Sequence, residues 1–299
     1  MDKTLIISPQ SGLGNRLRAM AAAIIIAEQT NRRLYHAWTP STPTDARPHV
    51  APLQNLGFEH FFKFSEHIRP ADKIQFPIID MCFSEWLPND GWYAAQSTAQ
   101  SQWECIPLAK RFFQEIDPLA TSRAEVILLE TSHATRLSPS MGGYTSEQEW
   151  LSAMHKAYTH LTPKQPYLNL LSNYETVDIG IHIRRGDMLQ FFAESRQNLS
   201  DLLNWAFALS QHYTIAIFTD DNNLKQIFTQ TISKHGGRIR NPAWPESIQI
   251  AEWELGFVEF LYLALKCKIV CGTPASSFSK EAAIYGNKPY FRNLTNISK

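Results

Sequence analysis

The sequence predicts a doubly wound α/β protein divided into two domains, and three observations predict it. The chain is 299 residues long, the length of roughly two domains at about 150 residues each. It opens on a strand, a glycine turn, an alanine-rich helix and a second strand. After residue 176, short apolar runs alternate regularly with segments of helical periodicity, the pattern of a parallel sheet covered by helices. Hydrophobic residues make up 44% and charged residues 19%, which suits a globular chain and excludes a disordered one.

Each element has its own signal. Residues 5–8 read as a strand. Ser11-Gly12-Leu13-Gly14-Asn15 reads as the turn, residues 16–30 as a helix rich in Ala and Ile, and residues 33–37 as the second strand, which together make one βαβ unit. From 39 to 161 the pattern weakens. Thr39-Pro40-Ser41-Thr42-Pro43-Thr44 is a loop signal. Residues 74–83 and 126–130 are candidate strands, and 109–116 and 146–161 candidate helices. Five tryptophans fall in or next to this stretch (Trp38, Trp86, Trp92, Trp103 and Trp150), either as core or as an aromatic platform for a sugar ring. Thr162-Pro163-Lys164-Gln165-Pro166 reads as a linker, dividing the chain into domains 1–162 and 163–299.

Beyond it, strand 177–183 leads to a helix over 201–212 capped by Ser200. Strand 214–218 leads to a helix over 223–234, closed by Gly236-Gly237. A short strand at 238–240, a helix over 255–266, a strand over 268–271, a helix over 277–285 and a last strand at 289–291 complete the series. Ligands of such folds sit beyond the carboxyl ends of the strands, so the loops there are the places to look for chemistry.

Composition narrows the function. Lys plus Arg and Asp plus Glu are both 28, so the net charge is zero, and a nucleic acid or anionic-membrane partner, which needs a basic excess, is not expected. Four scattered cysteines with no C-x-x-C pair give neither a disulfide framework nor a zinc site. No H-E-x-x-H or Asp-x-Asp signature occurs, and ten histidines lack ligand spacing, so no metal site is expected. The opening is already strand-like rather than a signal peptide, and the longest apolar run, 19–27, is too short for a transmembrane segment. The expected location is cytoplasmic.

Four loops carry the chemistry. His182-Ile183-Arg184-Arg185-Gly186-Asp187 closes a strand with two adjacent arginines. Guanidinium pairs bidentately with phosphate and keeps its charge, so this is an anion site; the alternative is an arginine pair tied down by carboxylates such as Asp187. Thr219-Asp220-Asp221 follows the next strand. Its aspartates could orient the arginines, contact a sugar, or cap the following helix. Gly272-Thr273-Pro274-Ala275-Ser276-Ser277-Phe278-Ser279 places small hydroxyl residues at a helix start, either as a phosphate-binding arrangement or as plain N-capping. Gly12-Leu13-Gly14-Asn15-Arg16 is a fourth phosphate-type turn. It is neither G-x-G-x-x-G nor a Walker loop. Two sheet domains each presenting such loops point to a ligand cleft.

Together these segments resemble the fucosyltransferase superfamily that includes the nodulation, core α-1,6-, α-1,2- and protein O-fucosyltransferases. Its His-x-Arg-Arg-x-Asp motif is matched by His182, Arg184, Arg185 and Asp187. Its Gly-x-Gly-Asn loop is matched by Gly12, Gly14 and Asn15, and its paired aspartates by Asp220 and Asp221. The acidic helix residue and Ser-rich turn resemble Glu259, Ser276, Ser277, Phe278 and Ser279. The acid here is Glu where the family more often has Asp, and Gly272-Thr273-Pro274 lengthens the turn. The resemblance covers the first turn and most of residues 177–285.

The resemblance implies a GT-B-type fold of two Rossmann-like domains facing across a cleft, with the acceptor on the N-terminal side. It implies GDP-fucose as donor, inversion at the anomeric carbon, a glycan or protein acceptor and no required metal. Arg184 would contact the β-phosphate, while His182 and Glu259 would serve the nucleoside. Asn15, Arg16, Arg185 and Thr273 complete the expected donor set, and Asp187 and Glu194 are the candidate bases. The alternatives are a transferase of the same fold using another nucleotide-sugar and a non-catalytic nucleotide- or glycan-binding protein.

Overall fold

In a computed structural model of the chain, the described residues are 3–38, 57–63, 65–71, 80–84, 104–107, 113–185, 199–244, 252–273 and 276–292. The chain divides into two compact units, Met1–Lys164 and Gln165–Lys299.

The N-terminal unit is built on a six-stranded sheet of order β3-β2-β1-β7-β4-β5, formed by β1 (Thr4–Pro9), β2 (Arg33–His36), β3 (Ile68–Pro70), β4 (Met81–Ser84), β5 (Glu104–Pro107) and β7 (Val126–Thr131). All its pairings are parallel. Every residue of β1 is buried, as expected of a central parallel strand covered on both faces. The helix after it, α1 (Leu13–Gln29), is buried from Leu13 to Ala27 apart from Asn15. A helix apolar on nearly all sides is a core element rather than a surface one. The short strands β6 (Phe113–Glu115) and β8 (Ala134–Arg136) pair in parallel as a separate ribbon. A strand therefore occupies 113–115, where residues 109–116 read as a helix.

Helices α2 (Phe58–Phe61) and α3 (Asp117–Thr121) are short, and α4 (Glu147–Tyr158) is not. Ser146 accepts from the Glu149 amide while the Glu149 side chain takes the Ser146 amide, a reciprocal capping box that explains the start of α4. Trp38 and Trp150 are buried, so these two are core. Trp86, Trp92 and Trp103 lie outside the described residues.

The C-terminal unit carries a four-stranded parallel sheet of order β10-β9-β11-β12, with β9 (Val177–Ile183), β10 (Ile215–Thr219), β11 (Cys267–Gly272) and β12 (Tyr290–Phe291). The expected strand at 238–240 reduces to one bridge between Ile239 and Ile215. The helices are α5 (Gln165–Ser172), α6 (Leu199–Ser210), α7 (Asn222–Lys234), α8 (Glu252–Lys266) and α9 (Ser277–Tyr285). Ser200 lies inside α6 rather than capping it.

Alternation along β9 decides the layers. Ile179, Ile181 and Ile183 pack with Leu202, Ala206 and Leu209 of α6 and Leu224, Phe228 and Ile232 of α7. Gly180 points the other way. A Cβ there would lie 2.5 Å from Cys267 Sγ and 2.7 Å from Leu263 Cδ2 of α8, so glycine lets α8 lie close against the sheet. Phe218 of β10 meets Tyr262 of α8 on that same face, with ring centroids 5.4 Å apart. Helices thus cover both faces. Cys267 and Cys271 are buried thiols, and burial pushes Cys271 up to about 12, which leaves it inert.

Candidate functional site

The parallel register brings three strand ends to one edge of the C-terminal sheet. Ile183 lies opposite Thr219, and His182 opposite Gly272. The loops that follow are stitched together by backbone donors. The Arg184 amide donates to Thr273 Oγ1 at 3.2 Å, and the Thr273 amide donates to the His182 carbonyl at 3.1 Å. The Arg185 amide donates to Asp220 Oδ1 at 2.8 Å. Asp220 Oδ2 lies 3.9 Å from Arg184 Nε, and both side chains are about a third exposed, at 38% and 32%. Asp220 therefore both anchors the loop and faces the guanidinium.

Asp221 does something else. Its carboxylate accepts from the Leu224 amide at 3.0 Å and caps α7. Of the two aspartates, one orients the arginine loop and the other starts a helix.

His182 is buried. Its ring stacks on Phe278, centroids 4.8 Å apart, and its Nδ1 lies 3.4 Å from Ser276 Oγ. Burial, with Arg184 adding repulsion, lowers its pKa to about 3. The imidazole is neutral near pH 7 and can offer one donor and one acceptor nitrogen.

Gly272 is needed where β11 ends. A Cβ there would stand 1.9 Å from Ser279 Oγ and 2.8 Å from Ser279 Cβ. Ser279 is fully buried and reaches Tyr290 OH at 3.5 Å. Together, glycine and serine draw the start of α9 up against the strand end. Ser276 is the N-cap residue of α9 but makes no side-chain cap bond, so the amides of the first turn, with the positive end of the helix dipole, are not capped by that serine. Phe260 of α8 packs edge-on against Phe278 at 5.6 Å and fixes that turn from below. Glu259, one residue earlier, is largely buried and lies 3.6 Å from Lys225 Nζ of α7. Burial raises its pKa, Lys225 opposes that, and Asp220 adds to it.

In the N-terminal unit the helix starts earlier than the glycine pattern indicates. Gly12 is the N-cap of α1, and Gly14 and Asn15 lie in its first turn. Ser11 takes φ +69°, an uncommon conformation for a residue with a Cβ. Asn15 Nδ2 donates to Ser11 Oγ at 2.9 Å, and Arg16 Nε donates to the Ser11 carbonyl at 2.8 Å. Arg16 is buried, with its guanidinium carbon 5.3 Å from the centre of the Trp38 ring. The turn is held by its own side chains.

The structure therefore brings His182, Arg184, Arg185, Asp220, Thr273, Ser276 and Phe278 together in one unit, with Ser277 beginning α9, and Gly12, Gly14, Asn15 and Arg16 together in the other. Asp187 and Glu194 lie outside the described residues. Sequence reasoning placed Ser11 in the turn without giving it a role, and missed Lys225, whose partner is 34 positions away. Among the described residues, no group of three or more His, Cys, Asp or Glu side chains is placed to hold a metal ion. No helix there is long and apolar enough to cross a membrane.

No protein-family model matches the chain, and no curated protein does. Solved structures do. NodZ α-1,6-fucosyltransferase soaked with GDP-fucose aligns over 99% of this chain and 96% of its own at 15% identity, with a TM-score of 0.57. POFUT1 in complex with GDP-fucose aligns over 97% and 98% at 10% identity, TM-score 0.60. A mutant of Arabidopsis thaliana FUT1 in complex with GDP aligns over 98% and 71% at 12% identity, TM-score 0.57. At such identities the likeness is one of fold, and the chain has the GT-B-type α/β fold of these fucosyltransferases.

Proposed function

We propose that the chain is a GDP-fucose-dependent fucosyltransferase that inverts the anomeric carbon and needs no metal. The observation that carries this reading is the joined edge of the C-terminal sheet. There Arg184, the Arg185 loop and the start of α9 converge after β9, β10 and β11, in a fold shared with proteins solved with GDP-fucose.

The reaction breaks the bond between the fucose anomeric carbon and the β-phosphate oxygen, and GDP leaves with the electron pair. Arg184 offers a bidentate guanidinium to that phosphate, and the α9 amides offer fixed dipoles, so the developing charge meets preorganised donors. His182 and Glu259 serve the nucleoside, with Phe278 holding the imidazole in plane. Gly12, Gly14, Asn15 and Arg16, in the turn that begins α1, complete the set that holds the nucleotide-sugar, while the rest of the N-terminal unit serves the acceptor. A carboxylate, Asp187 or Glu194, takes the proton of an acceptor hydroxyl on a glycan or protein. The chain works in the cytoplasm on this reading.

The test is a turnover assay of GDP-fucose, GDP-mannose and UDP-sugars across a glycan and protein acceptor array, with product anomericity read by NMR. Transfer of fucose with inversion, surviving EDTA, is the expected result. Transfer only from another donor, or activity lost in EDTA and restored by Mn²⁺, would overturn the corresponding part of the reading. Tight GDP binding with no transfer or donor hydrolysis would point to a non-catalytic binder.

A further inference from the structure

The Lys225–Glu259 pair joins two layers that the sheet otherwise separates. Lys225 lies in the first turn of α7, on the face packed by Ile215 and Ile217. Glu259 lies on α8, on the opposite face. The lysine crosses the end of β10 to reach it, its ammonium 5.8 Å from the centre of the Phe218 ring and 3.6 Å from Glu259 Oε1. Spending a long side chain on a largely buried carboxylate beside Asp220 is costly unless the charge has a use. Two carboxylates near each other disfavour joint ionisation, and a removed partner leaves a buried charge uncompensated.

We infer that Lys225 is a positioning residue for nucleobase recognition: it holds the Glu259 carboxylate ionised and oriented so that its oxygens can accept the paired ring N–H and amino donors of a guanine-type base. This deepens the proposed function and rests on its reading that Glu259 serves the nucleoside. A carboxylate accepts at both oxygens only when ionised; once protonated, one oxygen becomes a donor and faces the base's own donors.

The charges acting on Glu259 are Lys225 on α7 and Asp220 after β10, with Arg184 of the β9 end next to Asp220. Of the other elements packed on α8, α9 carries Lys280 and Glu281, α5 carries Tyr167, bonded to Glu254, and the β11 lysine, Lys268, is paired with Asp178. Burial and Asp220 favour the protonated acid and Lys225 opposes them, so removing the lysine moves the Glu259 pKa further up.

The experiment measures binding of GDP and of inosine diphosphate, which lacks the amino group, by calorimetry on the full chain from pH 6 to 8.5. The wild type should prefer GDP by roughly tenfold, the worth of one hydrogen bond to a charged group. Lys225→Arg should keep that preference. Lys225→Met should weaken it, most at the acid end of that range and less as the pH rises. Glu259→Gln should lose it at every pH, and this variant carries the test if Lys225→Met fails to fold. A merely structural lysine would lower both affinities equally with no pH dependence, which would overturn the inference. So would an undiminished preference in Lys225→Met, an undiminished preference in Glu259→Gln, or equal binding of the two nucleotides by the wild type. A wild type that binds neither nucleotide overturns the donor reading itself.

Discussion

The two units each present an arginine beside a strand end, and the two arginines are used in opposite ways. Arg16 is buried, its Nε tied to the Ser11 carbonyl and its plane near Trp38. Arg184 keeps about a third of its side chain in solvent, with Asp220 at 3.9 Å. The first guanidinium donates to a carbonyl of its own turn and lies against an indole ring. The second is anchored through its amide to Thr273, with its guanidinium facing Asp220. A guanidinium whose backbone is pinned while its head stays accessible is preorganised for an anion. Burial and partner, rather than residue type, separate the two arginines.

The largest effect expected follows from that contrast. Arg184→Lys should lower kcat by about 10²- to 10³-fold, or about 3 kcal/mol, with unchanged urea unfolding. The lysine keeps charge but loses the planar fork. Arg185→Lys should keep more activity, because successive residues of an extended strand end point to opposite sides. Equal, modest losses in both variants, tracking a lower melting temperature, would place Arg184 with Arg16 as a structural arginine.

The same exchange in the other unit should give the reverse. Arg16→Lys loses the Nε bond to Ser11 and the broad contact with Trp38, a loss of about 1–2 kcal/mol in stability. Circular dichroism during urea titration measures it. A variant as stable as wild type but inactive would show that Arg16 acts on substrate instead.

The sequence reads the C-terminal unit more closely than the N-terminal one, for a physical reason. Strand β9 and helix α9 have the expected boundaries because each carries a complete local signal: alternating β-branched residues ended by Arg-Arg-Gly, and Ser ahead of an apolar stripe ended by Gly286. Helix α5 was hidden because Gln165-Pro166 looked like linker, yet proline is favoured in a helix's first turn, where its missing N–H costs nothing. The strand at 113–115 was hidden because Phe113-Gln114-Glu115 pairs with β8 some twenty residues on, and pairing of that kind leaves no local period. Within the site, the motif residues were legible and their supports were not. Thr273 was visible as a turn residue, but its grip on the Arg184 amide depends on sheet register, and Lys225 finds Glu259 only once α7 and α8 are packed.

Acid should distinguish the two units further. His182 is neutral in the folded chain down to about pH 3, while an unfolded histidine protonates near 6.5. Between those values the unfolded chain binds the extra proton, so stability contributed at this residue is complete above about pH 6.5 and is lost as the pH falls. The slope approaches about 1.4 kcal/mol per pH unit. His182→Phe keeps a ring against Phe278 and should flatten that part of the acid limb between pH 6.5 and 4.5. An acid limb of the same slope in both proteins would mean that His182 is not held neutral by its burial.

The smallest effect tests why some helix starts are capped and others are not. Asp221 caps α7 through the Leu224 amide, whereas α1 begins at Gly12 and α9 at Ser276 with no side-chain cap bond. At the candidate loops, the start of α7 carries a side-chain cap and those of α1 and α9 do not; elsewhere α4 is capped and α2 and α3 are not. A side-chain cap occupies the amides that an anion would use, so a helix that binds phosphate at its N-terminus does better without one. Asp221→Ala should therefore cost about 1 kcal/mol of stability and leave the KM for donor within about twofold of wild type, a change too small to reflect loss of even one hydrogen bond to a charged group. Asp220→Ala is the paired measurement. It removes the acceptor of the Arg185 amide and the partner of Arg184, so it should raise the donor KM or lower kcat with less effect on stability. If Asp221→Ala raised the donor KM as strongly as Asp220→Ala, the division of the two aspartates into a helix cap and a site anchor would fail.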